Sequence, residues 1–149
     1  MPKADDLPIL RTKLLIPELR YNYVSREGLL DALDERSFGD VVLICGPAGY
    51  GKTTLAAQWA RMQGTNTAWL SLEDSDNVID DFTQYVAAAL EPILNPDQPE
   101  GQIQDEAIRN SPGTTLHTLM VHLINVTTQD DVRATLVLDN FQFITQERI

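Results

Sequence analysis

Residues 41–60 read VVLICGPAGYGKTTLAAQWA, and this stretch decides the fold of the chain. An apolar run typical of a buried strand, residues 41–45, enters a glycine-rich loop, and a helix-forming run leaves the loop. The loop fits GxxxxGK followed by Ser or Thr, the pattern of a phosphate-binding P-loop (Walker A) at the start of a helix. The stretch therefore predicts a strand, a P-loop and a helix, in that order.

Each residue type in the loop has a physical role in binding a nucleotide phosphate. Glycine lets the backbone bend and approach the phosphate without a Cβ in the way. Lys52 supplies a positive charge for the β- and γ-phosphates, and the Thr53 hydroxyl is placed to ligate Mg²⁺. The expected nucleotide contacts in this loop are Gly46, Pro47, Ala48, Gly49, Tyr50, Gly51, Lys52, Thr53 and Thr54. The alternative is a tight glycine turn between a strand and a helix that binds nothing.

A second feature is the apolar run of residues 134–138, which ends in Asp139. In a parallel sheet the carboxyl ends of the strands meet where ligands bind, so Asp139 can hold Mg²⁺ together with Thr53, the Walker B role. The next residue is Asn140, whose amide orients water but cannot accept its proton as the second acid of many hydrolysing P-loop enzymes does. We predict Lys52, Asp139 and Asn140 for any catalytic step. The predicted metal ligands are Thr53 and Asp139.

Strand and helix patterns alternate along the chain. Residues 67–72 and 134–139 predict further strands, because both runs are apolar and rich in β-branched or aromatic residues. Apolar spacing predicts helices over 25–36, from the P-loop to Gly64, over 78–91, over 103–109 and over 114–127, with Ser25 as a cap and Pro92 as a breaker. This alternation predicts an α/β fold, in which a parallel sheet carries helices on both faces.

The composition bounds the class of protein. The chain has 149 residues, which suits one domain, and its net charge of −11 argues against direct binding to nucleic acid phosphates. It has no apolar run of about 18 residues for a membrane span, and its first residues lack the apolar segment of a signal peptide. A single cysteine, Cys45, excludes an internal disulfide framework and favours a cytoplasmic setting. We expect Cys45 to be buried in the strand over residues 41–45.

Other residues that bind ligands in many proteins have simpler explanations here. His117 and His122 do not share a helical face, which argues against a metal pair. The carboxylates of residues 73–81 are expected as helix caps and a solvated face. Trp59 and Trp69 are expected in the core rather than as a base-stacking platform.

Several segments together resemble a known family. They are Leu14-Leu15-Ile16-Pro17, Val24-Ser25-Arg26-Glu27, Leu29-Leu30, the loop from Gly46 to Thr54, Ala68-Trp69-Leu70-Ser71-Leu72 and Leu136-Val137-Leu138-Asp139. With these segments the chain resembles the N-terminal ATPase region of the MalT-like, large ATP-binding LuxR-type transcriptional regulators. That family lies within the STAND class of signalling P-loop ATPases. The resemblance spans almost the whole chain.

The resemblance implies a ligand and several partners. The ligand is ATP or ADP with Mg²⁺, which switches a transcription activator between resting and assembled states. By resemblance, Arg26 approaches the nucleotide and Val24 lies beside the adenine. The residues alone leave two alternatives for Arg26, a surface residue or an approach to the nucleotide from the N-terminal side. The family also has C-terminal domains, so DNA contacts would come from residues outside this chain, and the full-length protein would self-associate with nucleotide. Asn140 replaces the family's second Asp, so the expected ATP hydrolysis is slow or absent.

We expect a lead-in over residues 1–22, anchored by its Leu14–Pro17 piece, and a P-loop NTPase domain over residues 23–149 that is incomplete at its carboxyl end. The resemblance implies one more strand, from later residues, between residues 41–45 and 134–138. Without it, these two strands either leave a gap or pair directly. Two other functions stay open: a P-loop enzyme, such as a small-molecule kinase or an AAA-type motor ATPase, and a nucleotide-bound scaffold without turnover.

Overall fold

A two-stranded parallel sheet is the framework of the computed structural model, which describes residues 9–35, 41–94, 120–121, 124 and 134–145. The strands are β1 (Thr67–Ser71) and β2 (Thr135–Asp139). The helices are α1 (Glu27–Asp34), α2 (Lys52–Gln63) and α3 (Ile79–Leu94). Short 3-10 helices cover Arg11–Leu14, Gly64–Asn66, Asp74–Asn77 and Phe141–Phe143.

The pairing of the two strands positions the end of β2. β1 and β2 lie parallel and in register, with Ser71 opposite Asp139. The three central residues of β1 are buried, and all of β2 is half-buried. Just beyond β1, the Leu72 N–H donates a hydrogen bond to the Asp139 carbonyl at 3.0 Å. The last residue of β2 is therefore held level with the end of β1.

Helices cover both faces of the sheet. Because side chains alternate across a strand, Trp69 and Leu70 point to opposite faces. The cluster on the α3 side contains Ala68, Leu70, Leu72, Phe82, Val86, Ala87, Ala89, Leu90 and Ile93. The cluster on the α2 side contains Ala56, Ala57, Ala60 and Trp69. The predicted α/β class, with a parallel sheet between helices, is confirmed.

The predicted strand over residues 41–45 is wrong for this structure, since residues 41–47 have no regular secondary structure. Val41 is 97% exposed and Leu43 is 75% exposed. Cys45 is exposed as well, although the sequence predicts it to be buried. An apolar run becomes a strand only where a neighbouring strand satisfies its backbone N–H and C=O groups. Within the described residues the sheet has two strands, and neither of them pairs with this segment.

Of the two arrangements expected for residues 41–45, the structure has the gap. Ile44 packs against the cluster under α2, and so does Val137 of β2, so the segment lies beside the sheet. It does not close onto β2, which pairs with β1 alone among the residues that the structure describes. Among the residues that the structure describes, one edge of β2 and the backbone of residues 41–45 therefore have no strand partner.

Two helix limits differ from the predicted ones. Ser25 does not cap α1, since the cap position is Arg26, and the Ser25 hydroxyl accepts a hydrogen bond from Gln58 Nε2 at 2.9 Å. α3 runs through Pro92 to Leu94, and Ile93 in this last turn packs into the core. Packing of the last turn thus outweighs the backbone hydrogen bond that the proline cannot make.

Part of the predicted structure lies outside the described residues. This applies to the helix over 103–109 and to His117 and His122. Of the helix predicted over 114–127, residues 120, 121 and 124 are described, and they are helical. Trp69 is 1% exposed, as its predicted core position requires, and Trp59 is half-buried. Among the described helices, none combines the length and the apolar character that a membrane span requires.

Residues 9–24, which we call the N-terminal strap, pack against both clusters. Leu14 packs against the cluster on the α3 side, and Ile16 and Leu19 pack against the cluster on the α2 side. The Arg61 guanidinium donates to the carbonyls of Ile16 at 3.3 Å and Pro17 at 3.0 Å. These contacts confirm the predicted anchoring piece at residues 14–17.

A buried ion pair fixes the beginning of the strap. Lys13 Nζ donates to Asp76 Oδ1 at 2.9 Å and Oδ2 at 3.0 Å, and it lies 3.1 Å from a Glu73 oxygen. It also lies 4.9 Å from the centre of the Tyr85 ring. Lys13 is 6% exposed and Asp76 is 2% exposed. Burial alone would lower the pKa of Lys13, but the hydrogen bonds to Asp76 and Glu73 outweigh it and leave this pKa raised.

Asp76 differs from its predicted role in one respect. It does act as a cap, since its carboxylate accepts the Glu73 N–H at 2.7 Å. It is not part of a solvated face, however, because the strap covers it and Lys13 neutralises it. A single carboxylate therefore closes the turn after β1 and holds the strap.

We predict that Leu43→Glu reduces self-association of the chain without lowering its melting temperature. Residues 41–45 form an apolar segment that pairs with neither strand of the described sheet, so a charge there opposes pairing of this backbone with another chain. The Leu43 side chain is 75% exposed and tolerates the charge. Light scattering during thermal unfolding measures both quantities. Met62→Glu is the matched control, because it places the same charge on a 60% exposed residue of α2. Equal scattering from the two variants would show that net charge, and not the exposed segment of residues 41–45, controls association.

We predict that Lys13→Met lowers the free energy of unfolding by about 3–5 kcal/mol, because the Asp76 carboxylate then stays buried without a partner. The double variant Lys13→Met/Asp76→Asn should recover most of this loss, since asparagine still accepts the Glu73 N–H but carries no charge. Denaturant unfolding at neutral pH measures both effects. Equal stability of Lys13→Met and the parent chain would contradict the ion pair.

The same comparison has a defined pH dependence. Because the pKa of Lys13 is raised in the folded state, its stabilising contribution is complete below the ordinary pKa of 10.5. The contribution is lost as the pH rises through the raised pKa. The difference in unfolding free energy between the parent chain and Lys13→Met should therefore shrink above pH 10.5. A difference that stays constant through this range would argue against a charged Lys13 in the folded state.

Candidate functional site

The P-loop leads directly into α2. Gly49 and Gly51 have φ angles of 80° and 75°, a region that residues with a Cβ rarely adopt. α2 begins at Lys52, and its first turn closes when the Leu55 N–H donates to the Gly51 carbonyl at 2.9 Å. The first N–H groups of a helix have no partner within it, and the helix dipole is positive at this end. The loop therefore has the backbone geometry and the polarity of an anion site.

The Lys52 ammonium lies within the loop that it follows. Its Nζ donates to the carbonyl oxygens of Gly46 at 2.8 Å and Pro47 at 3.0 Å. These contacts hold a positive charge against the two residues that open the loop. An anionic phosphate oxygen is a stronger acceptor for an ammonium than a neutral carbonyl. A phosphate in the loop would thus be a favourable new partner for Lys52.

Thr53 and Asp139, the two predicted metal ligands, are in direct contact. Thr53 Oγ1 lies 2.8 Å from Asp139 Oδ1 and 3.1 Å from Asp139 Oδ2, and the hydroxyl donates to the carboxylate. The first turn of α2 positions Thr53, and the pairing of β2 with β1 positions Asp139. Two oxygen ligands at this separation suit a cation such as Mg²⁺, which prefers oxygen.

A cavity of about 310 Å³ lies between the N-terminal strap, the P-loop and α2. Predicted site residues that line it are Val24, Arg26, Gly49, Tyr50, Gly51, Thr53 and Thr54. An Arg26 guanidinium nitrogen lies 3.9 Å from the point that a Cβ on Gly51 would occupy. The structure therefore brings Arg26 and Val24, which precede the loop by many residues, to the same cavity as the loop.

A second cavity of about 300 Å³ shares Arg26, Tyr50, Gly51 and Leu55 with the first. Lys52 and Gly46 line this second cavity, together with apolar side chains of α1 and of residues 42–45. The remaining predicted residues, Pro47, Ala48, Asp139 and Asn140, belong to the loop and to the end of β2 rather than to either lining.

Asn140 adopts a left-handed backbone conformation directly after Asp139. Its φ is 60° and its ψ is 34°, and it is the non-glycine residue with positive φ among the described residues. Its carbonyl accepts the Phe143 N–H at 3.0 Å, and its side-chain oxygen accepts from Gln142 Nε2 at 3.4 Å. Asparagine tolerates this conformation better than most residues. Asn140 therefore turns the chain out of β2. The sequence pattern does not predict this backbone role.

Sequence reasoning also misses other residues that line the first cavity, among them Asn22, Tyr23 and Gln58. Gln58 lies one helical turn beyond Thr54 on α2, so helical spacing from the P-loop predicts its position. Its amide donates to Ser25 Oγ, which links α2 to the strap side of the cavity. Asn22 and Tyr23 carry no comparable signal, because the path of the strap depends on contacts with distant residues.

We predict that Asn140→Ala destabilises the chain by about 1–2 kcal/mol, the cost of a left-handed conformation for an ordinary L-residue. Asn140→Gly should keep the parent's stability within about 1 kcal/mol, since glycine adopts this conformation without steric cost. Chemical denaturation of the three proteins measures the difference. If the alanine variant were as stable as the glycine variant, the conformation would not explain the residue.

The chain is similar to a known protein family and to known transcriptional regulators. A family model described as an AAA domain matches residues 36–149. The HTH-type transcriptional regulator MalT of Vibrio campbellii is 33% identical over 138 residues, which cover 93% of this chain and 15% of that protein. MalT of Yersinia pestis (strain Pestoides F) is 43% identical over 83 residues, which cover 56% of this chain and 9% of that protein. No solved structure matches the chain significantly.

The chain spans about 15% of the length of the Vibrio relative that it matches. The family match includes the P-loop, α2, both strands and Asp139. The predicted resemblance to the N-terminal ATPase region of MalT-like regulators is confirmed by these matches. By its family match and its fold, this chain belongs to the AAA domain family of P-loop NTPases.

Proposed function

We propose that this chain is the nucleotide-binding switch region of a transcriptional regulator, and that it takes ATP or ADP with Mg²⁺. The contact of 2.8 Å between Thr53 Oγ1 and Asp139 carries the proposal, because it joins two oxygen ligands from distant parts of the chain at the mouth of a P-loop. The AAA family match supports a nucleotide as the ligand. The relatives that support the regulatory setting are named HTH-type transcriptional regulators.

Two parts of the site bind the two parts of the nucleotide. The N–H groups of the loop and the Lys52 ammonium bind the β- and γ-phosphates, because they combine positive charge with an open backbone. The cavity beside the loop takes the nucleoside, with Val24 at the base and Arg26 close to the phosphates. The strap forms one wall of this cavity, so the ligand touches both the strap and α2.

Thr53 and Asp139 hold Mg²⁺ in this proposal. Their oxygen atoms already converge, and both are hard ligands of the kind that this ion selects. Mg²⁺ supplies positive charge that offsets the charge of the phosphates. Lys52 would supply a second positive charge to the phosphates from the loop.

Asn140 favours a switch with little turnover. Its amide cannot accept a proton from an attacking water molecule, and its backbone is committed to the turn after β2. In our proposal, Lys52, Asp139 and Asn140 therefore orient the phosphates and the water without a general base. The state of the regulator then depends mainly on which nucleotide is bound.

The wider setting follows from the family rather than from this chain. We propose a lead-in over residues 1–22 and a P-loop domain over residues 23–149 in a larger, cytoplasmic protein. DNA binding belongs to other domains of that protein, in keeping with the net charge of −11 here. Self-association that depends on nucleotide is a property of the full-length regulator.

We predict that Lys52→Ala weakens nucleotide binding by about 1.5–3 kcal/mol, the range for hydrogen bonds to charged groups, while the chain stays folded. This corresponds to a roughly tenfold to 150-fold rise in Kd. Titration with a fluorescent ATP analogue, with and without Mg²⁺, measures the change.

Arg11→Ala is the control for the Lys52 experiment, because it removes a positive charge from an exposed position on the strap. It should leave the Kd unchanged. Unchanged affinity in a folded Lys52→Ala variant would contradict the proposed function. Failure of the parent chain to bind the analogue would contradict it as well.

A further inference from the structure

Two adjacent side chains after β1, Asp76 and Asn77, bind two different segments of the chain. Both belong to the Asp74–Asn77 turn, a 3-10 helix that follows β1. Asp76 binds Lys13 of the N-terminal strap. The Asn77 side chain donates from Nδ2 to the Phe143 carbonyl at 2.6 Å and accepts the Thr145 N–H at 2.8 Å. The turn therefore connects the strap with the residues that follow β2.

The strap end of this connection leads to the proposed nucleoside cavity. The strap is fixed at Lys13 by the ion pair and at Ile16 and Pro17 by Arg61, and the residues that follow line the cavity. The Ser25–Gln58 contact fixes the far end of this wall to α2. The ion pair is thus the first of three anchors that set where the wall lies.

The other end of the connection leads to the proposed metal ligand. A short 3-10 helix, Phe141–Phe143, follows Asp139 and Asn140. Phe143 is its last residue, and Thr145 lies two residues beyond it. The Leu72 N–H holds the Asp139 carbonyl, and Asn77 holds the backbone on the far side of that 3-10 helix. The path out of β2 is therefore fixed on both sides by residues that follow β1.

We propose that the Asp74–Asn77 turn is a positioning element for the nucleotide site, which couples the strap wall of the cavity to the Asp139 end of β2. This inference rests on the proposed function, since it assumes that the cavity and Asp139 serve one ligand. Asp76 and Asn77 do not touch the ligand; they act through Lys13 and through Phe143 and Thr145. A nucleotide that contacts both the strap and Asp139 binds tightly only while the turn holds both in place.

A purely structural role makes a different prediction. If the ion pair only stabilised the fold, affinity would follow stability, and any variant that regained stability would regain affinity. Lys13→Met/Asp76→Asn separates the two cases. It removes the buried unpaired charge but does not restore the link between the strap and the turn.

The test measures Kd for a fluorescent ATP analogue with Mg²⁺ in the 149-residue chain, alongside thermal unfolding. Asn77→Ala and Lys13→Met should each raise the Kd by about fivefold or more, the lower end of typical coupling between sites. Asn66→Ala is the matched control, because it makes the same change at an exposed position next to β1. It should leave the Kd unchanged.

The double variants decide between the two roles. Lys13→Met/Asp76→Asn should unfold near the parent's temperature and still bind weakly. Lys13→Met/Asn77→Ala should raise the Kd by less than the product of the two single effects, because both changes act through one turn.

Recovery of affinity together with stability in Lys13→Met/Asp76→Asn would overturn the inference, as would an unchanged Kd in a folded Asn77→Ala variant. A parent chain that fails to bind the analogue would overturn the proposed function, and the inference with it. Normal binding by the parent, together with loss in Lys52→Ala and no loss in Asn77→Ala, would overturn the inference alone.

Discussion

The parallel register of β1 and β2 is the constraint on which the candidate site depends. Ser71 lies opposite Asp139, and the Leu72 N–H holds the Asp139 carbonyl. A slip of one residue along β1 would turn the Asp139 side chain to the other face of the sheet and away from Thr53. Packing on both faces resists such a slip, because Leu70 lies under α3 and Trp69 under α2.

The parts of the site that sequence reasoning predicts are those that local chemistry determines. The P-loop needs left-handed glycines followed by a helix start, and a short pattern around Gly49 and Gly51 specifies both. Asp139 is predictable for a related reason, since a carboxylate at the end of an apolar strand lies at the ligand edge of any parallel sheet. The contact between Thr53 and Asp139 then follows from topology, although 86 positions separate them.

The parts that sequence reasoning does not predict depend on distant partners. Residues 41–45 have a strand pattern, but a pattern cannot supply the neighbour whose hydrogen bonds make a strand. Lys13 and Asp76 are common surface residue types, and nothing in the sequence marks them as a buried pair. Ser25 has the side chain of a helix cap, yet Gln58 engages the same hydroxyl. In each case a long-range contact decides between two reasonable local states.

The hydrogen bonds of the Asn77 amide limit which residue types can occupy this position. The Phe143 carbonyl can only accept a hydrogen bond and the Thr145 N–H can only donate one, so the amide has a single workable orientation. Aspartate has the right shape but would place an oxygen atom against the Phe143 carbonyl, and leucine would satisfy neither group. Glutamine has both groups on a side chain one methylene too long. The Asn77 side chain pairs with this backbone as a neighbouring strand would, with one donor and one acceptor in a fixed order. Of these four residues, only asparagine offers both groups at the required length.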